Sequence, residues 1–275
     1  MARTWFITGA SSGLGREMAQ QLLARGDRVA GTSRRPEAND DLAREHGDRF
    51  VSLTLDVTDV AAIRAVTDEA FRGLGRVDVI VSNAGYGLVG ASEELADADI
   101  DRQIATNLTG SIQLIRASLP HLRAQKGGRI MQVSSAGGQM AFPYFSLYHA
   151  TKWGIEGFVE AVAQEVGVFG IDFIIAEPGP TATGFRAGLV HAPKMNAYDA
   201  TPADEVRRAI ETGSFVLTGD AAKTAAAMIA ACDSNKPDLR LVLGSGAYTP
   251  IVDSLRRRLV EAEAQREIAF SADRD

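Results

Sequence analysis

Seven short apolar runs rich in β-branched and aromatic residues recur along the chain, at Trp5–Thr8, Val29–Thr32, Phe50–Asp56, Val77–Asn83, Arg129–Ser134, Asp172–Glu177 and Arg240–Leu243. Helix-period segments separate most of them, and this alternation restricts the fold to βαβ units around a parallel sheet. Val77-Asp78-Val79-Ile80-Val81 is nearly continuous in apolar character, the pattern of a central strand covered by helices on both faces. After the first run, Leu14, Met18 and Leu22 repeat every four residues with Leu23 beside them, so a helix follows the first strand and stops near Gly26. Two long helices are predicted at 97–124 and 148–168, the second burying Ile155, Phe158, Val159, Val162 and Val166.

The expected fold class is therefore α/β: a Rossmann-type, doubly wound, seven-stranded parallel sheet with helices on both faces. No Pro/Ser linker or internal repeat divides residues 1–275, so one domain is expected. The stretch 179–217 interrupts the rhythm with several Gly and Pro residues and is expected to form a small helical substrate lid. Pro250 is expected to open a last helix, about 250–268, in which Ile251, Leu255 and Leu259 repeat before a charged tail.

Composition narrows the partners. With 29 basic against 35 acidic residues the net charge is -6, which favours neither nucleic acid nor an anionic membrane surface. A small anionic ligand would need a local cationic site. No apolar run reaches the roughly 18 residues of a membrane span, and the first strand follows the N-terminus without the pattern of a secretory leader. The single Cys232 rules out an internal disulfide and suits a reducing compartment, so a cytoplasmic protein is expected. Cys232 itself reads as a packing residue near a helix end. His46, His121, His149 and His191 are scattered, giving no metal-ligand spacing, and His149 is expected to point away from the face that holds Tyr148 and Lys152.

The loop after the first strand admits two readings. Gly9-Ala10-Ser11-Ser12-Gly13 matches G-x-S-x-G, the elbow that exposes a hydrolase's nucleophilic serine. That elbow is preceded by several strands and an oxyanion-hole loop, whereas one strand precedes Ser11. Read with Gly15, the same residues form a cradle in which glycines let backbone approach a phosphate and the N–H groups opening the helix at Leu14 face the anion. The spacing is neither G-x-G-x-x-G nor a P-loop.

Thr8-Gly9-Ala10-Ser11-Ser12-Gly13-Leu14-Gly15 resembles the T-G-x-x-x-G-x-G loop of the short-chain dehydrogenase/reductase family. The rest of that family's pattern follows in order: Asp56-Val57, Ser82-Asn83-Ala84-Gly85, Asn107, Ser135, Tyr148-His149-Ala150-Thr151-Lys152 and Pro178-Gly179. The likeness covers the first 180 residues, with Ser82 standing where the family usually has another Asn. Met131–Gly138 looks most like the hydroxysteroid and retinol dehydrogenase-like branch, which implies a bulky hydrophobic ketone or secondary alcohol. The resemblance further implies a nicotinamide dinucleotide held by Gly9, Ser11, Ser12, Gly13, Leu14, Gly15, Asn83, Ala84 and Gly85, with Pro178, Gly179 and Thr181 seating the carboxamide. Lys152 would bind the nicotinamide ribose, and Asn107 would position a water relay behind it. Self-association through the two long helices, as a homodimer or homotetramer, is implied as well.

Residue chemistry fits this reading. Tyr148 and Lys152 are four apart and project from one helix face, where an ammonium would favour phenolate and make the phenol a usable acid-base group. Ser135 ends a strand and would hold the substrate oxygen, while Ser134 alternates to the other side. After the second strand, Thr32-Ser33-Arg34-Arg35 offers no carboxylate for a ribose 2'-hydroxyl. Arg34, with the hydroxyls of Ser33 and Ser12, suits a 2'-phosphate, so NADP(H) is favoured over NAD(H) unless the arginines merely face solvent. Asp56 would accept the adenine amino group, with Val57 supporting the ring, or would instead cap the helix near Thr58-Asp59. Phe142, Tyr144 and Phe145, with Phe185, Leu189, Met195 and Phe215, would either wall an apolar pocket or pack the lid. The function expected is carbonyl–alcohol interconversion by hydride transfer. The rivals are a non-enzymatic NADP(H)-binding regulator and a serine hydrolase built on Ser11.

Overall fold

The computed structural model describes residues 2–274. Its central sheet consists of β1 (Thr4–Ile7), β2 (Arg28–Ser33), β3 (Phe50–Thr54), β4 (Val79–Ser82), β5 (Gly128–Val133), β6 (Ile171–Pro178) and β7 (Arg240–Leu243). The strands are ordered β7-β6-β5-β4-β1-β2-β3 and every pairing is parallel. Strand order reverses between β1 and β4, which opens a crevice at the carboxyl ends of the strands, where ligands bind in such sheets.

The helices are α1 (Gly13–Ala24), α2 (Asp40–His46), α3 (Val60–Leu74), α4 (Asp97–Ile104), α5 (Gly110–Ala124), α6 (Ser146–Val166), α7 (Pro202–Glu211), α8 (Ala221–Asp233), α9 (Ser245–Ala264) and α10 (Arg266–Phe270). Side chains of a strand alternate between faces, and β1 shows the consequence. Phe6 joins the core beneath α3, α5 and α6, while Trp5 and Ile7 join the one beneath α1 and α8. All three are fully buried, each contributing roughly 1.5–3 kcal/mol relative to exposure. Cys232 is buried in the second core, one residue from the end of α8.

Two expectations need correction. The last helix starts at Ser245, and Pro250 lies inside it. Gly244, with φ of 90°, starts the turn, and the Pro ring falls early enough that only one backbone bond is lost. The stretch 179–217 is less helical than expected: it contains α7 and contributes strands to two short parallel ladders, Thr181–Ala182 with Gly219–Asp220 and Leu88–Val89 with Val190–His191. The long helix over 97–124 is present as α4 and α5, joined by one wide π-type turn at Ala105–Thr109. Among the described residues, no helix is long and apolar enough to cross a membrane.

Candidate active site

A cavity of about 1360 Å³ runs along the carboxyl ends of the strands, from Gly9 and Arg34 at one end to Phe185 and Phe215 beneath the lid. Its floor is the loop from β1 to α1. Gly9 and Gly13 have φ of 70° and 56°, a region that favours glycine. At Gly15 a Cβ would lie 2.4 Å from both Gly9 O and Asn83 Nδ2. Ser12 precedes α1 without a side-chain cap, leaving N–H groups of the first turn open toward the cavity that Ser11, Ser12, Gly13 and Leu14 line. A backbone-only cradle at a helix start fits the diphosphate of a dinucleotide.

Asn83 reaches the site differently from expectation. Its Nδ2 donates to Thr8 O at 2.9 Å and Gly9 O at 3.1 Å, while Thr8 Oγ1 accepts from the N–H groups of Asn83 and Ala84. Asn83 and Thr8 therefore clamp the glycine loop to the end of β4, and Asn83, Ala84 and Gly85 line the cavity there. In the sequence Thr8 is only the first letter of the glycine motif.

At the far end, Arg34 is exposed on the cavity rim next to Asp56 and Val57. The Ser33 hydroxyl donates to Arg35 O, so its one proton is already engaged and the expected Ser33 donor to a phosphate is withdrawn. Asp56 Oδ1 accepts from Thr58 N at 2.9 Å and Thr58 Oγ1 at 2.8 Å. These bonds, with Arg34 and Arg102 nearby, hold its carboxyl below the usual range. It does not cap α3; Asp59 does, accepting from Ala61 N and Ala62 N at 2.9 Å each. Arg102 also lines this end of the cavity, and no sequence pattern had singled it out.

The cavity wall between these ends carries Ser135, Tyr148 and Lys152 together. Ser135 follows β5, and its Oγ accepts from Gly137 N at 3.1 Å. Lys152 Nζ donates to Val133 O at 3.0 Å and stands 5.5 Å from the centre of the Tyr148 ring. An ammonium has three donors, so others remain for a ligand. Burial pushes the Tyr148 phenol up to about 12, opposed by the Ser135 hydroxyl, and pushes Lys152 down to about 8, opposed by Glu156. The expected lowering of the phenol is thus overturned: desolvation raises it, and the group that opposes this is the Ser135 hydroxyl. Asn107 is buried in the π-type turn, where Oδ1 accepts from Tyr86 N at 3.1 Å and Nδ2 donates to Tyr86 O at 2.8 Å. It braces the segment after Gly85 and does not line the cavity.

On the lid side, Phe142, Phe145, Phe185 and Leu189 line the cavity with Phe215. Tyr144 does not; it turns into the lid core, where the Arg207 guanidinium lies 5.3 Å over its ring. Met195 is not in the wall. Pro178, Gly179 and Thr181 border the cavity, and Gly179 also lets α9 approach, since a Cβ there would meet Ala247 N at 2.7 Å. His149, expected to point away, is buried with its ring toward the turn after β5. Its Nε2 accepts from Phe142 N at 3.2 Å, which leaves Nδ1 to donate to Gly137 O at 2.9 Å. Both nitrogens being engaged, it offers Ser11 no base, and burial keeps it neutral by lowering its pKa.

A family model described as short chain dehydrogenase matches residues 3–194. Oxidoreductase BOA17 of Botryotinia fuckeliana is 36% identical over 252 residues, covering 90% of each chain. A 3-ketodihydrosphingosine reductase of Bacteroides thetaiotaomicron is 39% identical over 179 residues, 65% of this chain and 64% of that protein. Among solved structures, a short-chain dehydrogenase from Streptomyces avermitilis superposes with a TM-score of 0.91 at 38% identity, over 99% of this chain and 98% of that one.

Proposed function

The chain belongs to the short-chain dehydrogenase family of nicotinamide-dependent oxidoreductases, and on that premise we propose that it interconverts a bulky hydrophobic ketone and its secondary alcohol with NADP(H). The observation that carries this reading is the convergence of Ser135, Tyr148 and Lys152 on one wall of a cavity that joins a backbone cradle to an aromatic lid. The Bacteroides relative, whose name specifies a keto substrate, supports the reductive direction.

The cofactor supplies or accepts hydride when bound. Gly9 to Gly15 would hold its diphosphate, Asp56 and Val57 its adenine, Lys152 the nicotinamide ribose, and Pro178 to Thr181 the carboxamide. Ser135 would donate to the substrate oxygen and stabilise charge developing there. Tyr148, protonated at neutral pH, would deliver its proton to that oxygen; an alkoxide is a stronger base than phenolate, so the transfer runs downhill. Phe142, Phe145, Phe185 and Leu189 would exclude water and accept an apolar body. The NADP(H) preference rests on Arg34 at a rim with no carboxylate at the end of β2. We read residues 1–275 as one cytoplasmic domain that works as a homodimer or homotetramer.

Purified protein mixed with NADPH or NADH and a panel of bulky alicyclic ketones tests the reading by loss of reduced-cofactor absorbance. Turnover with NADPH should be lost in Tyr148→Phe while cofactor binding, followed by fluorescence, persists. Undiminished turnover in that variant would remove the assigned mechanism.

A further inference from the structure

Behind the wall that holds Ser135 and Lys152 lies a charged cluster that the chemistry above does not use. Glu156, one turn beyond Lys152 on α6, and Glu177 on β6 are both buried, with 2% and 1% exposure. Glu156 accepts from Ser134 Oγ at 2.5 Å and from Gln139 Nε2 at 2.6 Å. Arg240 on β7 pairs with Glu156, with Glu177 at 2.5 Å and with Glu160 at 2.7 Å. Ser134 immediately precedes Ser135, and Gln139 closes the turn that follows it. The same turn is pressed onto Glu156, because a Cβ on Gly138 would meet Glu156 Oε1 at 1.8 Å.

The charges around this point are Tyr148, His149, Lys152, Glu156 and Glu160 on α6, Glu177 on β6, Arg240 on β7 and Arg258 on α9. His149 is engaged with the turn as a neutral ring, and Arg258 donates to Gln139 O at 3.1 Å. Arg240 faces three carboxylates, and Lys152 is the next cation along α6. Burial raises the Glu177 carboxyl, with Glu156 adding to it, while Arg240 opposes both.

We propose that Glu156 is a positioning residue for the catalytic wall: through Ser134 and Gln139 it fixes the turn that carries Ser135, and it is the buried counter-charge one helical turn from Lys152. The catalytic half of this inference rests on the function proposed above. Burial alone would drive Lys152 toward the neutral amine, and Glu156 is the group that opposes this.

The test uses the full chain and two readouts: the pH dependence of Lys152 acetylation by acetic anhydride in cofactor-free protein, followed by mass spectrometry, and the pH profile of NADPH-dependent reduction of cyclohexyl methyl ketone. Glu156→Gln keeps the shape and removes the charge. It should move the Lys152 midpoint down by about one pH unit, with the alkaline limb of the reduction profile moving alike. Glu156→Asp keeps the charge on a shorter arm, and should lower kcat several-fold with the midpoint unmoved. If Glu156→Gln fails to fold, Glu177→Gln should give a smaller shift of the same sign. A Lys152 midpoint that stays at the parental value in the charge-removing variants would overturn the proposal, as would an equal shift in Glu156→Asp. Tyr148→Phe, run alongside, separates the two levels: turnover retained there removes the catalytic assignment, while the acetylation midpoint still reports on Glu156.

Discussion

Substituting Gly15 by Ala sets two effects against each other. In an ordinary helix the change would stabilise by about 1 kcal/mol, since glycine is the poorer helix former. Here the added Cβ would stand 2.4 Å from Gly9 O and from Asn83 Nδ2, about 1 Å inside ordinary contact. The Gly9 carbonyl cannot yield alone, because Asn83 Nδ2 holds it and its neighbour Thr8 O. Releasing both hydrogen bonds costs about 1–3 kcal/mol, which matches or exceeds the helix gain. The loop therefore shifts by about 1 Å with a small net loss of stability. Its N–H groups shift with it, and a displacement of that size weakens a preorganised site by about a hundredfold. Fluorescence titration should show an NADPH Kd raised by about that factor, with melting changed by only a few degrees. Gly157→Ala in α6, where a Cβ meets nothing within 4 Å, is the control that should leave affinity unchanged. Parental NADPH affinity in Gly15→Ala would refute the assignment of the loop as the diphosphate seat.

Arg34→Ala should raise the KM for NADPH by about tenfold or more while leaving that for NADH nearly constant, the loss expected for one charge-assisted contact; equal effects on both cofactors would remove the 2'-phosphate reading. Reduction should be pH-dependent through Lys152: its pKa is lowered to about 8, so activity that requires the ammonium is present below that pH and falls as pH rises through it, measured as kcat with NADPH saturating. The buried pair of Glu94 and Arg207, at 2.6 Å, anchors α7 of the lid to the body. Burial would raise the Glu94 carboxyl, but the N–H groups of Met195 and Ala91 and the Arg207 cation together hold it below the usual range, so its contribution to stability is present at neutral pH and lost on acidification. Arg207→Leu should destabilise by about 3–5 kcal/mol in urea titrations at neutral pH, and a change within error would show the pair to be dispensable.

The sheet was legible because each strand alternates its apolar residues between two cores or is apolar throughout. All seven predicted runs are strands, with no end displaced by more than two residues. The lid was the least legible part. Its ladders consist of two residues each, too short to leave a period, and one of them depends on Leu88–Val89, about a hundred positions from its partner. Side-chain destinations failed where a residue's partner lies far away in the chain. Tyr144 follows Arg207 into the lid core, and the Asn83 amide turns back to β1. A motif letter at Asn83 and an aromatic at Tyr144 mark these positions without saying which neighbour requires them.

The Tyr148 and Lys152 pair shows how proximity read from sequence differs from electrostatics read from structure. Four-residue spacing on a helix places a cation near the phenol, and the ring centre does lie 5.5 Å from Nζ. That distance is to the ring centre, whereas the charge of a phenolate sits on its oxygen, and the group that opposes burial at that oxygen is the Ser135 hydroxyl. Burial works against any charged form, and it acts on both partners at once, weakening the cation as it suppresses the anion. The two displacements, up to about 12 for Tyr148 and down to about 8 for Lys152, have the signs that desolvation dictates. A wall so poised holds a neutral phenol beside an ammonium with little reserve. A proton donor is what carbonyl reduction needs from Tyr148, whereas oxidation of the alcohol requires the phenolate. The forward reduction should therefore persist at neutral pH, and the reverse reaction should accelerate as pH is raised until Lys152 loses its charge.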